Sequence, residues 1–318
     1  MTMNTLKKIA VLTMVLVLVV SVGAKAAKER YEEKFARTEN LDRNGRVSLI
    51  NVSGTIQVRS WDKAQVQVDA VKISEASSMD KAKENAGQVT IEVVKEGGTL
   101  RIQTKYPDGK LFRNNNLNVH VNYVVTIPDQ AALRVKNVSG DIDLAAIGGA
   151  LEVDEVSGDV TIVNAPQSVE CKTVSGTIEI RQAGGDVNLK AVSGRIIAEG
   201  IKGSIEAETV SGSIRLRDVR EAKSVRAKTI SGGIECETDI LPGGRYYFDV
   251  LSGGITLTLP AAATFELDAE TFSGSIRTDF PITMTGRISP KELRGTVGAG
   301  GATLRVKSFS GTVDIRKK

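Results

Sequence analysis

Histidine and tryptophan each occur once in these 318 residues, cysteine twice, and aromatic side chains make up only 4% of the chain. Each shortage removes a class of function. One histidine and two distant cysteines give no grouping with the ligand spacing of a metal site. The Gly-Gly-x-Gly-x-Asp nonapeptides that bind calcium in some β-rolls are missing. His120 lies in Val119-His-Val121-Asn-Tyr123-Val-Val125, where alternation turns it away from the apolar side, as a solvated strand histidine. Glycoside hydrolysis needs two carboxylates at a set separation, usually in a groove with aromatic platforms for sugar rings. Trp61 is the only tryptophan, and acidic pairs on exposed strand faces arise by chance in any β-helix. The sequence therefore reads as that of a non-catalytic protein, with no catalytic, cofactor-binding or metal-binding residue and no cofactor.

Charge of one sign is also scarce. The net charge is +4, and residues 1–26 hold three lysines and no acid, which leaves 39 basic and 38 acidic residues beyond them. Such a balance excludes nucleic acid as a partner, because that affinity rests on clustered phosphate neutralisation. Long apolar runs are limited to one. Lys7 and Lys8 precede Ile9–Val22, apolar but for Thr13 and Ser21, and Ala24-Lys25-Ala26 follows as a small-x-small cleavage site. This is the pattern of a secretory signal peptide over residues 1–26. No cysteine follows the run to carry a lipid anchor, and no second apolar segment offers a membrane span after cleavage. The expected location is extracytoplasmic: periplasmic, cell-surface-associated or secreted.

What is abundant is glycine, 31 residues, and much of it is periodic. Val-Ser-Gly or a close variant places serines at 139, 157, 175, 193, 211, 231, 252, 273 and 310, with spacings of 18, 18, 18, 18, 20, 21, 21 and 37. The last interval fits two units with one marker missing. Each unit has two halves. The first reads Gly-x-Ile-x-Leu, as in Ile142/Leu144, Val160/Ile162 and Ile178/Ile180. The second supplies Leu151/Val153/Val156, Val169/Cys171/Val174 and Val187/Leu189/Val192. Alternation at period two, β-branched enrichment and glycine punctuation are strand signals, and the recurrent breaks exclude helix over residues 129–318.

A strand-turn unit this short buries no core alone, whereas stacking like units in register does. The expected fold is all-β: a parallel β-solenoid, or β-helix, of ~18–21-residue coils with an irregular β-rich N-terminal cap. Two long faces or three short ones per coil both fit 18 residues; a flattened coil with two main strands is the favoured form, with right-handed crossovers, and the rival is an antiparallel sandwich of hairpins. In this reading Val closes the core column, Gly permits the corner, and Ser bonds locally. Nine serines without an adjacent base are a structural habit and not nucleophiles. Cys171 and Cys236 occupy apolar positions about three coils apart. At ~4.8 Å per coil that is roughly 14 Å, beyond the ~7 Å Cα limit for a disulfide, so both read as buried free thiols.

Three segments follow: a signal peptide over 1–26, a β-rich cap over 27–128, and the repeats over 129–318. The cap lacks the period. It holds alternating strands, one short polar helix over 75–86 and a polar loop over 106–116. Gly295 to Gly301 reads as a corner loop in an unmarked coil and not as a phosphate loop, since a strand and not a helix follows. The closing strand from Phe309 ends in lysines that discourage edge-to-edge pairing.

Ser53-Gly54-Thr-Ile-Gln-Val-Arg-Ser-Trp61-Asp62-Lys63-Ala-Gln-Val66-Gln-Val68, the step Tyr123-Val-Val-Thr-Ile127-Pro128, and Leu133-Arg-Val-Lys-Asn-Val-Ser139-Gly140 together resemble a known group. It is a bacterial family of β-strand-repeat proteins whose domain carries the label "putative adhesin" and is otherwise of unknown function. The resemblance covers roughly residues 45–318. It implies export, a β-solenoid-like fold and no established enzymatic activity, and it brings no functional residues. The expectation is an adhesin-like binding or scaffold module of the cell envelope, whose partner is an envelope protein or glycan. The alternative is a self-assembling structural envelope protein; less favoured is a carbohydrate-active β-helix enzyme.

Overall fold

The computed structural model describes residues 28–107, 117–284, 289 and 291–318. The segment read as a signal peptide lies outside the described residues, as does most of the 106–116 loop. No helix among the described residues is long and apolar enough to cross a membrane.

The chain is a two-sheet β-solenoid. In the repeat region each coil supplies one strand to each sheet, and like residues stack directly. In one sheet Leu133, Leu151, Val169, Val187, Ile205 and Val225 form one inward column, and Val135, Val153, Cys171, Leu189, Ala207 and Ala227 another. In the other sheet Ile142, Val160, Ile178, Ile196, Ile214 and Ile234 do the same. These residues are almost fully buried between the sheets. The flattened, two-stranded, parallel coil is the expected one. Coils of 20 and 21 residues keep this register because their additional residues fall on the side opposite the Ser-Gly corner. That opposite side turns through a column of left-handed residues, Ala146, Asn164, Gln182, Gly200 and Asp218, with φ between 53° and 68°.

The Ser-Gly corner is the tightest point. Glycine N–H groups at 54, 140, 158, 176, 194, 212, 232, 253 and 311 each donate to the serine carbonyl of the adjacent coil, at 2.8–3.3 Å. Gly176 has φ +127°, and a Cβ there would overlap the carbonyl of Gly158 in the coil below. Asp141 and Asp159 stand on the same corner. The Asp141 Oδ1 accepts from the Asp159 N–H at 3.0 Å and the Asp159 Oδ1 from the Thr177 N–H at 2.7 Å. Cys171 and Cys236 are buried free thiols in different sheets, both pushed up by desolvation.

The ends depart from sequence order. Residues Arg46–Ile50 and Ile56–Trp61 form a coil that continues the repeat columns. The later segments Thr99–Lys105 and Val119–Pro128 stack outside it. The first coil of the chain is thus second from the end. The same happens at the other terminus: Thr303–Ser310 and Val313–Lys317 slot between the coil of Arg245–Leu259 and that of Phe265–Thr278. Two expectations are corrected here. The 37-residue interval contains no unmarked coil, because Glu292–Val297 turns back antiparallel onto Phe265–Glu270 as an edge cover. The C-terminal strand, moreover, is interior and needs no lysines to guard it. Antiparallel strands Glu29–Asn40 and Gln65–Ala76 cover the opposite end, with a helix over Met79–Gly87 capped by the Ser78 hydroxyl. Covering edges in this way removes unpaired backbone from the ends of the stack.

Gly176→Ala is expected to lose roughly 3 kcal/mol or more by urea unfolding, since it adds both a disfavoured φ and an overlap with neighbouring backbone. Gly87→Ala, with open space around it, should change stability little. Equal effects would contradict the corner geometry.

Candidate functional site: an exposed apolar column at the Ser-Gly corner

Strand Leu151–Ser157 points Leu151, Val153 and Glu155 inward and Glu152, Asp154 and Val156 outward. The valine of Val-Ser-Gly therefore does not close the core. Strict alternation from Leu151 puts it outside and puts the residue before it inside, which corrects the expectation drawn from hydrophobicity alone. Every coil repeats this. Val138, Val156, Val174, Val192, Val210, Ile230 and Leu251 are 44–51% exposed, Phe309 is 53% and Phe272 is 66%. Val52 heads the row, half-buried. In spatial order the rungs run from Val52 through Leu251 to Phe309 and Phe272, whose rings stack 4.8 Å apart at an interplanar angle of 7°. Ten rungs at ~4.8 Å make a stripe roughly 43 Å long.

The inward partner of each rung is small or polar at every coil but one: Asn51, Asn137, Glu155, Thr173, Ala191, Thr209, Thr229, Ser308 and Thr271, with Val250 the exception. Most bond the corner backbone. Thr209, Thr229, Thr271 and Ser308 donate to the carbonyls of Gly194, Gly212, Gly311 and Gly253 at 3.0–3.2 Å, and the Asn137 amide donates to that of Gly140 at 3.1 Å. At the first coil Thr104 bonds both Asn51 (2.8 Å) and the Tyr123 hydroxyl (2.6 Å), tying the outer coil to its neighbour. The asparagines of the two Asn-Val-Ser sequences are accordingly buried.

Beside the column, a shallow trough of about 630 Å³ runs along the first five rungs, floored by rung side chains and by the flanks of Lys136, Asp154, Lys172 and Lys190. Farther across the same sheet lies a polar groove of about 680 Å³, with Arg134, Glu152, Glu170, Asn188, Glu206 and Arg226. Arg134 pairs with Glu152 at 3.0 Å and Arg226 with Glu206 at 3.4 Å. No aromatic side chain lines this groove, so it lacks the platforms that sugar-ring chemistry uses. Among the described residues no group of three or more His, Cys, Asp or Glu could hold a metal ion. His120 is half-buried on a strand between Gln65–Ala76 and Ile56–Trp61, away from the column.

Residues 46–316 match the Toastrack DUF4097 family. The chain belongs to that family. No curated protein matches this Toastrack chain. Three solved structures span nearly all of it. A "putative adhesin" of Bacteroides fragilis NCTC 9343 is 13% identical, with 89% of this chain and 97% of that one covered and a TM-score of 0.45. A "putative lipid binding protein" of Parabacteroides distasonis ATCC 8503 is 13% identical, with 90% and 96% covered and a TM-score of 0.35. A "putative cell adhesion protein" of Clostridium sporogenes ATCC 15579 is 11% identical, with 90% and 100% covered and a TM-score of 0.23.

One inward position in this Toastrack stack is out of character. Glu155 is 3% exposed, with its Oε1 accepting from the Ser157 N–H at 3.0 Å and no partner on its Oε2. Desolvation pushes its pKa up to about 7, against hydrogen bonds that act the other way. Between the unfolded value near ~4.3 and the raised folded value, the native state holds the proton that the unfolded chain releases. Stability should therefore fall as pH rises through that window. Glu155→Thr, the residue that the next coil carries at Thr173, should flatten the profile and add on the order of 2 kcal/mol at pH 8. Urea unfolding of both proteins across the window checks this; an unchanged slope would contradict it.

Proposed function

We propose that this chain is a non-catalytic binding scaffold that works in the cell envelope, outside the cytoplasm, and that it engages its partner through the apolar column. The observation that carries this is the column itself. Nine strongly exposed hydrophobics in one line form a patch that soluble surfaces rarely keep without a use. Nothing in the stacking demands it. The corner needs glycine for space and a small or hydrogen-bonding residue inside, whereas a lysine or threonine at the outward valine would serve the coil equally well. Support for a binding role also comes from family membership and from the signal-like run at residues 1–26. The partner class is an envelope protein or glycan. End-to-end filament assembly gains no support, since antiparallel strands cover both sheets at one end and one of the two at the other, where only the three-residue strand Ile276–Thr278 is left as an edge. A carbohydrate-active enzyme gains none from a groove without aromatic platforms.

Fractionation of the native host tests the reading. The wild-type protein should be recovered with the washed envelope, and a Val156→Lys/Val174→Lys variant should move to the soluble fraction. Its unfolding free energy should stay within about 1 kcal/mol of wild type, as for exposed positions. Equal envelope recovery of the two proteins would overturn the column as the binding face.

A further inference from the structure

The column's geometry narrows what can lie on it. We propose that a second copy of this chain covers it, packed two-fold and antiparallel about Val192. This rests on the reading of the column as an interaction surface and takes the envelope protein that lies on it to be a second copy, so that envelope retention depends on the paired form.

The first argument is period. The rungs repeat at the spacing of stacked strands, ~4.8 Å, whereas same-face side chains of an extended peptide repeat at roughly 6.8 Å and lose step after a few rungs. Only another stack with the same rise keeps its rungs in step over the whole length. A second copy has that rise by construction, and isologous pairing needs only this one surface.

The second is size. Rung volume grows from valine at one end to phenylalanine at the other. Parallel pairing would set Phe on Phe at one end and Val on Val at the other, splaying the two stacks. Antiparallel pairing about Val192 sets Val174 on Val210, Val156 on Ile230, Val138 on Leu251 and Val52 on Phe309, so no two large rungs meet.

The third is charge, and it selects the register. A two-fold axis lying in the interface and crossing the column lays flank on flank as well as rung on rung. The flanking residues, two before each rung, run Ile50, Lys136, Asp154, Lys172, Lys190, Glu208, Lys228, Asp249, Lys307 and Glu270 in stacking order. With the axis at Val192, Lys136 faces Asp249, Asp154 faces Lys228 and Lys172 faces Glu208. Sliding by one rung in one sense sets Lys136 on Lys307, Asp154 on Asp249 and Lys172 on Lys228, three repulsive pairs against one attractive pair, Lys190 on Glu208. Sliding in the other sets Lys136 on Lys228, Asp154 on Glu208 and Lys172 on Lys190. Both neighbouring registers are repulsive. Lys190 meets its own copy at the axis, where Glu208, at 3.7 Å within each copy, offsets it.

The test uses the chain from residue 27 onward, whose native thiols are buried. Val192→Cys should give a covalent dimer under mild oxidation. Val138→Cys and Leu251→Cys should each form no covalent dimer when oxidised alone and cross-link to one another when mixed. Wild type should sediment as a dimer. Lys172→Glu or Glu208→Lys alone should weaken it roughly tenfold or more, and the double exchange should restore it. A strictly monomeric wild type, or Val192→Cys that cross-links no faster than Val138→Cys, would overturn the proposal. If that monomer still loses the envelope in its Val156→Lys/Val174→Lys form, the column serves a different partner and the functional reading survives. If envelope recovery is also unaffected, both fall.

Discussion

Everything in this molecule depends on how closely one coil approaches the next at the Ser-Gly corner. A glycine N–H reaches the serine carbonyl of the adjacent coil, and the bare glycine Cα lets the two backbones pass. Because the contact recurs in nine coils, it fixes both the rise and the register of the stack. Once register is fixed, every column is a column of like residues, and the core becomes continuous rows of Ile, Val and Leu buried between two sheets. The coils can then lengthen from 18 to 21 residues on the far side without disturbing the rows.

The same constraint sets the surface. A strand that enters the corner with Leu151 inward must leave it with Val156 outward, because side chains alternate strictly. The inward place beside the corner goes mostly to residues that can bond the corner backbone, which is why threonine, asparagine and serine predominate inside while valine sits outside. A row of exposed apolar rungs thus follows from the pairing of a tight corner with a hydrogen-bonding interior. What does not follow is that the rungs be apolar, and there a function enters.

Much of the fold was legible in the sequence. The spacing of Ser139 through Ser273 announces stacked coils, and Ile142/Leu144 or Leu151/Val153 announce the inward rows. Three features were not legible for identifiable reasons. The phase at Val156 was misread because hydrophobicity was followed across a polar residue, Glu155, that alternation requires to be buried. Counting by twos from Leu151 would have found the exposed column. The last 45 residues were misread because spacing along a chain reports sequence order, while the coil at Thr303 inserts out of order between two earlier neighbours. The coil at Arg46 was assigned to the cap for the same reason: the segment stacked outside it comes later in the chain.

Side-chain phase at the corner is the claim on which the core, the column and the function all rest. Thiol labelling of Thr173→Cys and Val174→Cys in the folded monomer, kept dilute and in the Lys172→Glu background so that no second copy shields the column, tests it directly, because these two neighbours are assigned to opposite sides of one strand. The account predicts rapid labelling at position 174 and protection at 173 until the protein unfolds. Protection at 174 with labelling at 173 would contradict it and return the valines to the core.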